Sequence, residues 1–151
     1  MAFLSSLDIA GSGMTAQKKR LDVITENITN RETTRTEDGG PYRRKLSVFT
    51  EIEKGGSFSG IFKNARLNQA RQSGTLGGVM VSEVIEDESD FIPVYDPNHP
   101  DAGEDGYVMM PNVNNTVEMI DAMSATRSYS ANIAAFEAIK AMAAKALEIG
   151  R

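Results

Sequence analysis

The sequence predicts an α+β fold: long N- and C-terminal helices pairing in a coiled-coil-like inner domain, with a small β-rich middle domain between them. Three observations predict it. Apolar residues recur at alternating spacings of 3 and 4 at both ends of the chain. The middle carries short apolar runs punctuated by Gly, Pro, Asn and Asp. The 151 residues are too few for two independent cores. The expected division is 1–30 for the N-terminal helix, 31–111 for the β-rich middle with its loops, and 112–151 for the C-terminal helix.

At the N-terminus, Phe3, Leu7, Ala10, Met14, Gln17, Leu21, Ile24 and Ile28 form a heptad seam with Gln17 its one polar member. Gly11 and Gly13 fall inside it, each costing about 1 kcal/mol against Ala in a helix interior. The segment needs a partner.

The C-terminal end supplies one. Asn115, Thr116, Val117 and Glu118 fit a capping box, with Asn115 accepting from the first turn and Glu118 reaching back. No Gly or Pro follows until Gly150, which is placed for a C-terminal cap. Met119, Ala122, Thr126, Tyr129, Ile133, Phe136, Lys140, Ala143 and Leu147 keep the 3 and 4 spacing, and Val117, Ile120, Met123, Ile139, Met142 and Ile149 widen the apolar face. A helix of about 33 residues would span about 50 Å. Two arrangements satisfy these seams: an antiparallel pair laid on a small sheet within one chain, or burial between molecules. The wide apolar face, the length and the run of alanines from Ala131 to Ala146 favour burial between molecules.

In the middle, Asp38-Gly39-Gly40-Pro41 is turn chemistry. Strands are expected over Arg43–Glu53, around Val79, Val81 and Ile85, over Phe91–Tyr95 and over Tyr107–Met110. Gly- and Ser-rich 55–60, Gly74-Thr75-Leu76-Gly77-Gly78 and the turn-rich Asp96–Gly106 separate them, and Asn64–Gln72 reads as a short helix or a basic loop.

Composition removes most catalytic chemistries. There is no cysteine, and the lone His99 cannot form a poly-histidine metal site. The net charge of −5 disfavours nucleic-acid binding. Asp96, His99, Asp101, Glu104 and Asp105 crowd together, so a metal-binding enzyme at Asp96/His99/Asp101 is an alternative; the spacing matches no EF-hand loop, and Pro97 and Pro100 make a rigid solvated turn the default. Neither Gly-rich stretch carries the Lys-Ser/Thr ending of a phosphate loop. No catalytic, cofactor or metal residue is therefore assigned. No basic region opens the N-terminus as in a secretory signal, and no apolar run approaches the length of a membrane span, so no direct membrane insertion is expected.

Charge is unevenly spread. Between Arg71 and Arg127 lie eleven carboxylates and no Lys or Arg, whereas the rest of the chain carries all 16 basic residues against ten acids. This is an acidic solvated face, or an acidic middle that meets the basic part of a neighbour in head-to-tail docking.

Ser12-Gly13-Met14, Ala16, Leu21-Asp22-Val23, Asn27-Ile28 and Asn30 resemble the N-terminal signature of the axial proteins of the bacterial flagellum. Gly40-Pro41-Tyr42-Arg43-Arg44, Tyr95-Asp96-Pro97 with His99-Pro100, and Gly106-Tyr107-Val108 are similar to the proximal-rod members specifically. Pro111-Asn112-Val113, Glu118-Met119, Ala125, Arg127, Tyr129 and Ala131-Asn132 continue the likeness into the last helix. The resemblance implies a non-enzymatic structural subunit of the basal-body rod, polymerising through its terminal helices into a torque-transmitting shaft. Another axial protein of rod or hook is the alternative. Implied partners are copies of itself, other rod proteins, the basal-body base and the flagellar type III export apparatus, with the periplasmic rod as location. The expected assembly interface is Phe3, Leu7, Met14, Leu21, Ile24, Ile28, Met119, Met123, Tyr129, Ile133, Phe136 and Leu147.

Overall fold

A computed structural model describes residues 2–37, 39–53 and 76–149. In chain order these form helix α1 (Ala2–Thr29), strands β1 (Lys45–Glu53), β2 (Leu76–Glu86), β3 (Ile92–Tyr95) and β4 (Tyr107–Met110), and helix α2 (Asn115–Ile149). The Gly150 cap and the 55–60 and 64–72 segments lie outside the described residues, as does the side chain of Phe3.

The helices run antiparallel. Gly13 faces Asn132, Arg20 bonds Asp121 at 3.1 Å and Asn27 bonds Glu118 at 3.1 Å, so residue numbers rise on one helix as they fall on the other. A Cβ at Gly13 would come within 2.9 Å of the Asn132 amide, so this glycine lets the two backbones approach. Within the chain each seam already has a partner, because α1 packs against both α2 and β2.

Close approach also shifts the seam. On α2 the inward positions are Glu118, Ala122, Ala125, Tyr129, Asn132, Phe136, Ile139 and Ala143. Met119, Thr126, Lys140 and Leu147, expected on this stripe, are exposed. On α1, Ala10, Gly13, Ala16, Val23, Ile24 and Asn27 are buried, while Leu7, Met14, Gln17, Leu21 and Ile28 are half-buried. The most deeply buried face thus mixes small and amide side chains with Val23 and Ile24, where a coiled coil would use large aliphatic ones throughout.

β1 and β2 form an antiparallel ribbon with two irregularities in register. Glu51 pairs with Val79 and Glu53 with Leu76, so Gly77 and Gly78 together oppose Ile52. The Gly74–Gly78 stretch was expected to break structure; Gly77 and Gly78 instead open β2. Gly78 has φ +102°, and a Cβ there would overlap the Ser12 hydroxyl. Ser12 Oγ accepts from Val79 N–H at 3.1 Å and donates to the Ile9 carbonyl at 2.8 Å, docking the bulge on α1. A Cβ at Gly77 would overlap the Ile52 carbonyl.

β3 and β4 make a second, separate ribbon, paired from Ile92↔Met110 to Tyr95↔Tyr107. The 96–106 connection is closed by Asp96 N–H to the Gly106 carbonyl at 3.0 Å, with Gly106 at φ +74°. The expected capping box is also corrected. Asn114 caps α2, its Oδ1 accepting from Thr116 and Val117 N–H at 3.0 and 3.3 Å, and Glu118 points inward.

Because the obstruction at Gly77 is backbone, Gly77→Ala should destabilise the protein by about 1–3 kcal/mol. That should lower the thermal midpoint by several degrees; an unchanged midpoint in a melting experiment counts against the bulge geometry.

Candidate functional site

Two surfaces stand out: a buried polar junction that sets the angle of the helix pair, and an apolar strip that the pair leaves uncovered.

The junction is centred on Glu118, whose side chain is 1% exposed. Arg44 Nε donates to Glu118 Oε1 at 2.6 Å and Asn27 Nδ2 donates to Glu118 Oε2 at 3.1 Å. Asn27 also donates to the Lys45 carbonyl and accepts from Lys45 N–H, each at 2.9 Å, and accepts from Tyr42 O–H at 2.9 Å. Arg44 N–H donates to Asn112 Oδ1 at 2.8 Å, and Arg44 Nη1 and Nη2 lie 3.6 Å from Asp87 and Asp121 carboxylates. Asp121 in turn accepts from Arg20. One network therefore ties the end of α1, the start of β1, the residue after β2, the approach to α2 and its first turn.

Electrostatics follow from this packing. Burial opposes the Arg44 charge, but hydrogen bonds to and attraction by Glu118 and Asp87 outweigh it and push its pKa up. The Ser89 N–H and hydroxyl, joined by Arg44, hold the Asp87 carboxyl below the usual carboxylate range. Burial, then the negative charges of Glu26, Glu118 and Glu86, push the Tyr42 phenol above its ordinary value.

The strip lies on α2. Ile120, Met123, Arg127, Ala131, Ala134, Ala138 and Ala141 recur at 3 and 4 spacing and are all exposed, with Val117, Met119 and Met142 flanking them. Met119, Ala122, Met123, Thr126 and Arg127 line a shallow depression of about 400 Å³. Sequence reading noted the alanines but not that they form a second, outward seam; the signal was their own 3 and 4 spacing, which continues that of Ile120 and Met123.

The residues expected at the assembly interface divide between the two sides. Ile24 is buried in the helix pair, and Leu7, Met14, Leu21, Ile28, Tyr129, Ile133 and Phe136 are half-buried there. Met119, Met123 and Leu147 face outward. The alternative centre is arranged as a turn: Asp96 accepts from Asn98 N–H, His99 Nδ1 from Asp101 N–H, and Asp101 from the Thr34 hydroxyl. Among the described residues, no three His, Asp or Glu side chains group as a metal site, and no helix is long and apolar enough to cross a membrane.

Two measurements check the junction. Glu118→Leu removes one acceptor from each of Arg44 and Asn27 and should cost about 3 kcal/mol, whereas Arg44→Met combined with Glu118→Leu should cost less than the two singles added. Additive costs in denaturant melts would show that the pair is not coupled. The raised Tyr42 pKa sets the sign at alkaline pH. Its contribution is intact below the ordinary phenol value near 10 and is lost as pH rises past it, because only the unfolded chain ionises readily there. Tyr42→Phe should flatten that alkaline loss in a pH series of melts, and an unchanged slope would remove Tyr42 from it.

Residues 7–35 match a family model described as flagella basal body rod protein, and residues 104–149 match one described as flagellar basal body rod FlgEFG protein C-terminal. Over 155 aligned residues the chain is 45% identical to the flagellar basal-body rod protein FlgC of Bacillus subtilis (strain 168), with all of both chains covered. FlgC of Borreliella burgdorferi is 40% identical over 99% of this chain and 98% of its own. FlgC of Escherichia coli O6:H1 is also 40% identical, over the whole of both. With likeness of this degree along its full length, the chain belongs to the FlgC family of flagellar basal-body rod proteins, structural subunits of that rod.

Proposed function

We propose that this subunit polymerises through the outward faces of its helix pair, and that the resulting shaft carries torque across the periplasm. The observation that supports the reading is the uncovered strip of α2, where Ile120 is 62% and Met123 57% exposed. An apolar seam of this length is unusual on a solitary soluble chain. Covering it stabilises an assembly by about 25 cal/mol for each Å² of apolar surface removed from water. The alanines from Ala131 to Ala141 let a neighbouring helix come close. Expected neighbours are copies of this chain, other rod proteins and the base on which the rod stands. Delivery by the flagellar type III export apparatus belongs to the same reading, which rests on family resemblance for that step.

The test uses Ile120→Asp and Ala138→Asp, two exposed positions. A substitution there should move the stability of the single chain by no more than about 0.5 kcal/mol. Each variant should nevertheless fail to enter basal bodies and leave cells non-motile. Normal basal bodies and motility in both variants would overturn assembly through this face.

A further inference from the structure

The β3–β4 ribbon has a face that none of the described residues covers. Strand alternation puts Pro93, Tyr95, Tyr107 and Met109 on one side, opposite Ile92, Val94, Val108 and Met110. On the second side Val108 is buried and Met110 half-buried, while Ile92 and Val94 are exposed. All four residues of the other side are exposed, Tyr95 to 65%, and the two tyrosines meet edge to face with ring centroids 5.2 Å apart. No described helix or strand packs against this ribbon. A two-stranded ribbon alone is marginal in water and gains stability when a helix covers it. Its chain flanks are acidic: Asp90 precedes β3, and Asp96 and Asp105 sit in the connection to β4, all three exposed.

A surface with matching chemistry lies on α2. It is the depression formed by Met119, Met123 and Arg127 on α2. Two methionines supply adaptable apolar area, and Arg127 supplies a cation suited both to carboxylates and to a tyrosine face. Arg127 makes none of the salt bridges found among the described residues.

We propose that the Tyr95–Tyr107 face of one copy docks on the Met119–Met123–Arg127 depression of a second copy, a head-to-tail contact in which the acidic flank of the ribbon meets Arg127. The proposal rests on the assembly reading above and names the partner surface within it. Because the two surfaces differ, each contact leaves one of each kind open for the next copy.

The chain contains no cysteine, so a pair of engineered thiols reports this contact without background. Tyr107→Cys with Met123→Cys is placed in the full-length chain in flagellated cells, and isolated basal bodies are oxidised. A ladder of disulfide-linked dimers and higher multimers, absent from either single-cysteine chain, is the expected result. Only monomer, an intrachain loop, or links to a different rod protein overturns the proposal while leaving the assembly reading standing. Absence of the wild-type chain from basal bodies overturns both. An independent variant guards against a folding defect in the cysteine pair. Arg127→Glu, at an exposed position, should reduce copy-to-copy crosslinking of otherwise wild-type surfaces by a lysine- and carboxylate-reactive reagent about tenfold. Adding Asp96→Lys and Asp105→Lys should restore it. Failure of the swap to restore crosslinking, with circular dichroism showing a folded chain, overturns the charge pairing and the proposal with it.

Discussion

A carboxylate with almost no access to water holds this molecule in shape. Moving an ionised side chain out of solvent costs several kcal/mol, and Glu118 is tolerated only because a guanidinium and an amide meet its two oxygens. Those partners come from distant parts of the chain: Asn27 from the end of α1 and Arg44 from the residue just before β1. Hydrogen bonds have narrow angular tolerance, whereas aliphatic contacts slide at little cost. The junction therefore fixes where α2 begins relative to the end of α1, and β1 is set by the same atoms through Asn27 and Lys45. Asn27 makes four hydrogen bonds with one side chain, which leaves no other residue type able to replace it in shape and in donor–acceptor pattern.

From that fixed end the helices run side by side with a seam of small groups. Gly13 against Asn132, with Ala10, Ala16 and Ala125 buried nearby, brings the backbones together along this stretch. The large apolar side chains at the start of α2 lie on its outer side. Met119, Ile120 and Met123 are exposed not because the helix lacks a partner but because its partner is already seated on the other face. A tight inner pair and an uncovered outer strip are two consequences of one packing choice.

The α+β class and the two long helices could be read from periodicity, since 3 and 4 spacing over so many residues permits little else. All four strands were anticipated within a few residues, because short runs rich in Val, Ile, Phe and Tyr lie between Gly- and Asp-rich turns. What could not be read was which apolar stripe faces inward. Spacing placed Met119 and Leu147 on the seam and Glu118 in a cap; Glu118 instead turns inward because Asn27 and Arg44, far away in sequence, supply its partners. The glycines at 77 and 78 misled for a related reason. Glycine marks a turn and a β-bulge alike, and only the nearness of Ser12 to Gly78 distinguishes them. Asn27, Tyr42, Arg44, Asn112 and Glu118 stood out as motif residues, yet nothing in their separate positions showed that they form one junction.

The charge pattern along the chain fits the same geometry. The acidic stretch from Glu83 to Asp121 holds the β3–β4 ribbon and the start of α2, and Arg127 is the first cation after it. Arg44 neutralises the inner part of that stretch through Glu118, Asp87 and Asp121. Among the described residues, the carboxylates around the 96–106 connection have no such partner of opposite charge apart from His99, 4.0 Å from Asp101. In the proposed contact, the acidic ribbon of one copy meets the Arg127 end of the apolar strip on the next. Unlike surfaces that satisfy one another do not close on a twofold axis; they add copies in one direction, as a shaft requires.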